Sequence, residues 1–283
     1  MDKLMDQTHL EHDRVMERLG RDGSLEGDLN GRYARLRRRI ALVEPGQWLY
    51  YAGASALKRC PNASRFAAEI IQKFGLPAGI LRFEGCSGHD ILSLGFEDIA
   101  RNVAGVVTEQ IQAAGVCGIF SGMEHDRWMF SNVYPRWDCD LAIPIVTASE
   151  FFGKLYTEGL VKLRPDTEVQ SALYCGSLWS NRWIEDTETW QPALQAVFGE
   201  RLTIFEEAAS FIPPTHPDYG PARPDSGPIE LPMDVIWEKI AGSGATLIIT
   251  DDPFTYEALY DRAFRNGIKV WDFCHVFSRY LES

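Results

Sequence analysis

The feature that most constrains this chain is an order that occurs twice. Gly115-Val-Cys-Gly-Ile-Phe-Ser-Gly-Met-Glu-His-Asp stands 129 residues before Gly244-Ala-Thr-Leu-Ile-Ile-Thr-Asp-Asp-Pro-Phe-Thr. Tyr51-Ala-Gly-Ala likewise stands 123 residues before Tyr174-Cys-Gly-Ser. Around both markers, short apolar runs with β-branched residues alternate with amphipathic segments of helical period. GQWLYYAGAS, AGILRFEG, VCGIFSG and LAIPIVTAS read as strands, separated by the helices ASRFAAEIIQKFG, FEDIARNVAGVVTEQIQAAG and EFFGKLYTEGL. The second half repeats the order through SALYCGSL, RLTIFEEA, ATLIIT and IKVWDF. Short runs that alternate with helices bury both faces of a parallel sheet. The expected fold class is therefore α/β: two pseudo-symmetric parallel-sheet repeats, packed about a pseudo-twofold and arising by internal duplication.

The repeats do not include the N-terminus. Residues 1–44 are rich in charge and carry patchy helical spacing at Leu10, Val15, Leu19, Leu36 and Ile40, which gives one or two helices as an N-terminal extension. The domains read as 1–44, 45–164 and 165–283. The run Arg35, Arg37, Arg38 and Arg39 is either a grip for a partner or acidic cofactor or a solvated helix face. Trp179, Trp183 and Trp190 suit either a protein interface or a core, and 204–234 reads as a Pro-rich loop.

A formal charge of −12 argues against a nucleic-acid surface. No apolar stretch approaches the roughly 20 residues of a membrane span, and the polar start is not a secretory signal, so a cytoplasmic location is expected. The 6 cysteines, Cys60, Cys86, Cys117, Cys139, Cys175 and Cys274, contain no closely spaced pair of the kind that holds a metal. Small buried hydrophobes are the default reading.

Some of these markers occur in one order within a known family. They are YAG at 51–53, the E-x-C-x-G turn from Glu84 to Gly88, Gly95, Tyr134-Pro135, then GATLIITDDPF and VWDFCHVFSRYL. Over about residues 46–283 the chain resembles the cysteine-rich CCG-domain proteins, typified by the CCG-bearing component of heterodisulfide reductase. The resemblance implies cluster-ligand positions that are mostly replaced. The family's first-strand cysteine falls on Ala54, its CCG on Cys86-Ser87-Gly88, and its later ligands on Met123, Asp126, Asp252 and Thr255. It implies no cluster in this chain, a structural role within an oxidoreductase electron-transfer complex, and partners that carry iron–sulfur clusters and flavin.

Other readings of the same residues remain open at this stage. Cys86, His89, His125 and Asp126 are the candidate catalytic residues, converging at the C-terminal edge of the first sheet, where open α/β sheets bind ligands. A thiol activated by histidine would give a thiol enzyme or a ligand-binding protein. Cys86, His125 and Asp126 could instead hold a single metal ion, or an unusually ligated cluster could keep the chain redox-active. His9 and His12 are spaced to touch one ligand if their helix is docked.

Overall fold

The computed structural model describes residues 2–25, 27–176, 189–205 and 233–282. Two helices open the chain, α1 (Asp2–Asp22) and α2 (Leu29–Leu36). The first repeat runs β1 (Trp48–Tyr51), α3 (Ala54–Arg59), α4 (Pro61–Phe74), β2 (Ala78–Gly79), α5 (His89–Ser93) and α6 (Glu97–Ala114). It continues through β3 (Gly118–Ser121), α7 (Glu124–Trp128), β4 (Ile145–Thr147) and α8 (Ala148–Thr157). The second repeat contains β5 (Ala172–Tyr174), α9 (Trp190–Phe198), β6 (Leu202–Ile204), α10 (Met233–Gly242), β7 (Leu247–Thr250), α11 (Pro253–Arg265), β8 (Lys269–Asp272) and α12 (Phe273–Tyr280).

Both sheets are four-stranded and parallel, ordered β2-β1-β3-β4 and β6-β5-β7-β8. The two repeats are thus α/β units of one topology. Each order reverses between its first and third strands, which opens a crevice beyond their carboxyl ends. The strand register moves one sequence marker by a residue. Tyr50 faces Phe120 and Tyr174 faces Ile249, so Tyr174 occupies the place of Tyr50 rather than of Tyr51.

Core strands read as continuous apolar runs because both faces are covered: Leu49, Tyr50 and Tyr51 are all buried. Close packing demands small residues at one strand crossing. A Cβ on Gly118 would lie 2.6 Å from the Trp48 ring. Helix ends follow their local chemistry. Gly75 and Gly115 close α4 and α6 in the left-handed region, and Thr147 forms a reciprocal capping box with Glu150 at the start of α8. Asp272 does the same work after β8, where its carboxylate accepts from the Cys274 N–H at 2.7 Å.

One hydrophobic cluster joins the two sheets, and a smaller one, built on Leu173, Ile248 and Ile240, lies under the second. Across the seam Phe152 packs on Phe277 (5.6 Å), Phe66 stacks on His275 (4.1 Å), and the Ser149 hydroxyl donates to Asp251 (3.0 Å). Fully burying each aromatic contributes about 1.5–3 kcal/mol. The N-terminal helices share the same core through Val15, Leu29, Tyr33 and Leu36, and the Tyr33 hydroxyl donates to the Leu81 carbonyl (2.8 Å). Arg35, Arg37, Arg38 and Arg39 are exposed.

Trp190 is buried and stacks on Tyr174 at 3.9 Å, which makes it a core residue. Trp179 and Trp183, the side chain of His9, and most of the Pro-rich loop lie outside the described residues. His12 pairs with Asp98 (3.3 Å), a contact between α1 and α6. No described helix is long and apolar enough to cross a membrane.

Candidate active site

The ends of β1 and β3 and the loop after β2 meet in a small cleft lined by Ala54, Ser55, Cys86, Ser87, His89, Asp90, Met123, His125 and Asp126. Its free room of about 10 Å³ accommodates a single water. Cys86, His89, His125 and Asp126, four residues picked out from the sequence, therefore line one cleft, together with Met123. Asp252 and Thr255 belong instead to the end of β7 in the other repeat, with the Asp252 carboxylate accepting from the Thr255 N–H (2.8 Å) and hydroxyl (2.7 Å).

Local geometry explains each position. Ser121 ends β3, and its hydroxyl donates to the Met123 carbonyl (2.8 Å) and accepts from the Met123 N–H (3.1 Å). This turn launches α7, whose first residues carry His125 and Asp126 into the crevice. Met123 puts its sulfur against the Ala56 N–H at 3.3 Å, fixing α3 to the β3 turn. The Glu84 carboxyl accepts from the Ala52 and Gly53 N–H groups, both at 2.9 Å, so the turn after β1 is capped by the chain's own acid. Gly53 has φ +82°, and a Cβ there would run into the Asp126 carboxyl, so this turn requires glycine. Tyr51 donates to the Gly85 carbonyl and Tyr134 to the Ser87 carbonyl (3.0 Å), which clamps the loop bearing Cys86.

The electrostatics are those of a dry site. Burial pushes the Asp126 carboxyl up to about 7, against the downward pull of the Ser87 hydroxyl and His89. Burial pushes Glu84 up to about 8, opposed by its two backbone donors. His125 is held well below the ordinary histidine value, chiefly by burial and then by His89 and Arg59, so it is a neutral imidazole near pH 7. Its ring stacks on His89 at 4.4 Å, and His89 Nδ1 lies 3.3 Å from Asp90. The Cys86 thiol is 7% exposed and pushed up to about 12, mainly by burial. It is a protonated wall residue rather than a resting thiolate. Asp126 Oδ2 is buried with no hydrogen-bond partner.

His125 and Asp126 are both 4% exposed; sequence reasoning placed them at the sheet edge without showing this burial. It did not single out Glu84 as a buried acid or Ser55 as a wall. The helices α3, α5 and α7 that hold these residues are 5 or 6 residues long, too short to show a period. All six cysteines are free; Cys60, Cys86, Cys175 and Cys274 are buried, while Cys117 is exposed. Among the described residues, no three His, Cys, Asp or Glu side chains are placed to hold a metal ion.

No family model matches this chain, and no curated protein matches it. Solved structures do. An aspartate racemase homologue from Pyrococcus horikoshii OT3 is 12% identical, covers 82% of this chain and 96% of its own, and has a TM-score of 0.33. The Picrophilus torridus aspartate racemase is 10% identical, with coverage of 82% and 91% and a TM-score of 0.36. Arylmalonate decarboxylase is 10% identical, with coverage of 83% and 89% and a TM-score of 0.27. Likeness at this level carries no argument about activity.

These findings correct the CCG-domain resemblance and everything hung on it. The solved structures named above are an aspartate racemase, an aspartate racemase homologue and a decarboxylase rather than components of heterodisulfide reductase. The reading as a degenerate structural component of an electron-transfer complex, with iron–sulfur and flavin partners, is withdrawn. The positions taken for emptied ligand sites have physical roles of their own. Ala54 begins α3, Met123 braces it, and Asp252 caps α11 and binds Thr255.

Proposed function

We propose that this chain is a small-molecule enzyme that transfers a proton, with Asp126 as the general acid–base. The observation that carries the reading is Asp126 Oδ2, buried at the cleft without a partner and therefore placed to accept a proton or a hydrogen bond from a bound molecule. A carboxyl near 7 exchanges its proton readily at neutral pH, which suits an acid–base role. Water exclusion strengthens every electrostatic interaction inside the cleft.

The reaction class is abstraction of a proton from a carbon acid. The Asp126 carboxylate takes the proton from a C–H bond next to a carbonyl or carboxyl group. The electron pair stays on the substrate as an enolate, and the same carboxylic acid, or another donor, returns the proton. Ser55, Ser87, neutral His125 and the Cys86 thiol line the cleft as potential donors toward the developing negative charge.

Deuterium wash-in tests this directly. Small carbonyl and carboxylic acids are incubated with the protein in D2O, and loss of the α-proton signal is followed by NMR. Exchange is expected for at least one compound and is lost in Asp126→Asn. Absence of exchange across the panel, or unchanged exchange in Asp126→Asn, would overturn the proposal.

A further inference from the structure

Among the described residues the second repeat contributes none to the cleft lining, yet it reaches the cleft wall through a continuous column of side chains. His89 stacks on His125 (4.4 Å, 23° between planes). His125 meets the Phe254 ring edge-on (5.1 Å, 79°). The Arg59 guanidinium lies over the other part of that ring, 4.4 Å from its centroid, and pairs with Glu257. Phe254 and Glu257 both belong to α11 of the second repeat, whereas Arg59 ends α3 and His125 lies in α7 of the first. The column therefore crosses the seam three times, at the His125–Phe254 ring contact, the Arg59–Phe254 cation–π contact and the Arg59–Glu257 ion pair.

The cleft's size gives this column a consequence. Room for one water is too small to enclose an organic substrate, so the wall must move for the cleft to surround one. The wall at His125 is backed by Phe254, and Phe254 is held by Arg59 and Glu257. The Arg59 side chain is 4% exposed while Glu257 is 51% exposed, so the latch has one end in the core and one at the surface. Interfaces between packed units are the parts of a protein that slide or hinge at lowest cost.

We propose that Phe254, Arg59 and Glu257 form a latch between the repeats that keeps the cleft closed, and that its release opens the cleft to a small-molecule ligand. Phe254 and Arg59 act through His125 and are positioning residues. The purpose of the latch rests on the cleft being a ligand site, but its opening is measured without any ligand.

Cys86 reports that opening, because it lines the cleft. Cys175 is a matched control: it is buried in the second repeat, and burial pushes its thiol to about 12, as for Cys86. The full-length protein is treated with iodoacetamide, and alkylation of each cysteine is followed by peptide mass spectrometry. Glu257→Gln is expected to speed Cys86 alkylation about two- to fivefold, the population shift that follows from losing a partly exposed ion pair. Phe254→Ala is expected to speed it about tenfold, since a ring contact and a cation–π contact are lost together. Cys175 should keep its wild-type rate in both variants.

Unchanged Cys86 rates in both variants would overturn the latch. So would equal acceleration of Cys86 and Cys175, which reports general unfolding. Glu257→Gln removes a surface partner only, so the test survives if Phe254→Ala folds poorly. Absence of deuterium exchange in the wild-type protein across the panel would remove the catalytic reading while leaving these labelling rates to decide the latch.

Discussion

The two repeats end their third strands in the same way and then part. In the first, the Ser121 hydroxyl binds the Met123 N–H; in the second, the Thr250 hydroxyl binds the Asp252 N–H at 3.1 Å. Ser121 pairs with Thr147 and Thr250 with Asp272, so these turns occupy one position in the shared topology. Beyond them, Met123 begins α7 with no side-chain cap, whereas Asp252 caps α11 and binds Thr255. The acid in the first repeat comes three residues later, at Asp126, with an oxygen left over. In the second repeat Asp252 also keeps one buried oxygen, Oδ1, without a hydrogen-bond partner, but its Oδ2 serves the helix start and it does not line the cleft. One scaffold thus places a carboxyl in the cleft at one edge and a helix-capping carboxyl at the other.

Exchanging chemistry for structure breaks the comparison most sharply at Asp126. Asp126→Asn should lower proton-exchange activity by about 100-fold or more while leaving the urea midpoint equal or higher, because an unanswered buried acid is removed. A large stability loss with activity intact would put Asp126 in the structural class of Asp252.

The turn that faces it comes next. Gly53→Ala should cost more than about 1 kcal/mol in a urea melt, since the residue has φ +82° and its Cβ would meet Asp126. Gly176, at the end of β5, lies outside the left-handed region, and its nearest added contact is the Tyr174 ring at 3.0 Å. Gly176→Ala should therefore be milder. For the cap, Asp252→Ala should cost about 1–2 kcal/mol by the same melt, and activity per folded molecule should be retained.

Protonation sharpens the contrast further. Asp126 and Asp272 are raised to about 7 and Glu84 to about 8, each chiefly by burial. The folded state therefore binds more protons at these sites than the unfolded state, so their contribution is lost progressively from about pH 4, where the unfolded carboxyls ionise, through 7 to 8, and the fall levels off above that. Buried His125 and His275, both lowered by burial, oppose this only below about 6.5, where unfolded histidine charges. The urea midpoint should fall between pH 6.5 and 8.5, by up to about 1.4 kcal/mol per pH unit for each group still titrating. Asp126→Asn should flatten that slope, and a midpoint rising over the same window would contradict the burial of these acids. The smallest effect is expected at the surface. His12→Ala breaks only the exposed contact with Asp98 and should change stability by less than about 0.5 kcal/mol.

Much of this was legible beforehand where period and capping chemistry are strong. The helices ending at Gly75 and Gly115, the strands around Tyr50, Phe120 and Ile248, and the doubled order all follow from local pattern. The convergence of Cys86, His89, His125 and Asp126 was likewise legible, because loops after parallel strands share one edge. The family resemblance failed because it rested on turn residues, and turns of this kind recur wherever a strand feeds a helix.

The sequence by itself determined the two-repeat α/β plan, since apolar period and glycine stops act over a few residues at a time. Only the tertiary structure decided which acids are buried, which are answered, and which repeat closes the cleft. Asp126 and Asp252 are the same residue type after the same turn. Their difference lies in neighbours brought from distant segments, Gly53 and Ser87 for one, Thr255 and Arg59 for the other. A carboxyl's proton affinity follows the water and charges around it, and those are set by packing rather than by spacing along the chain.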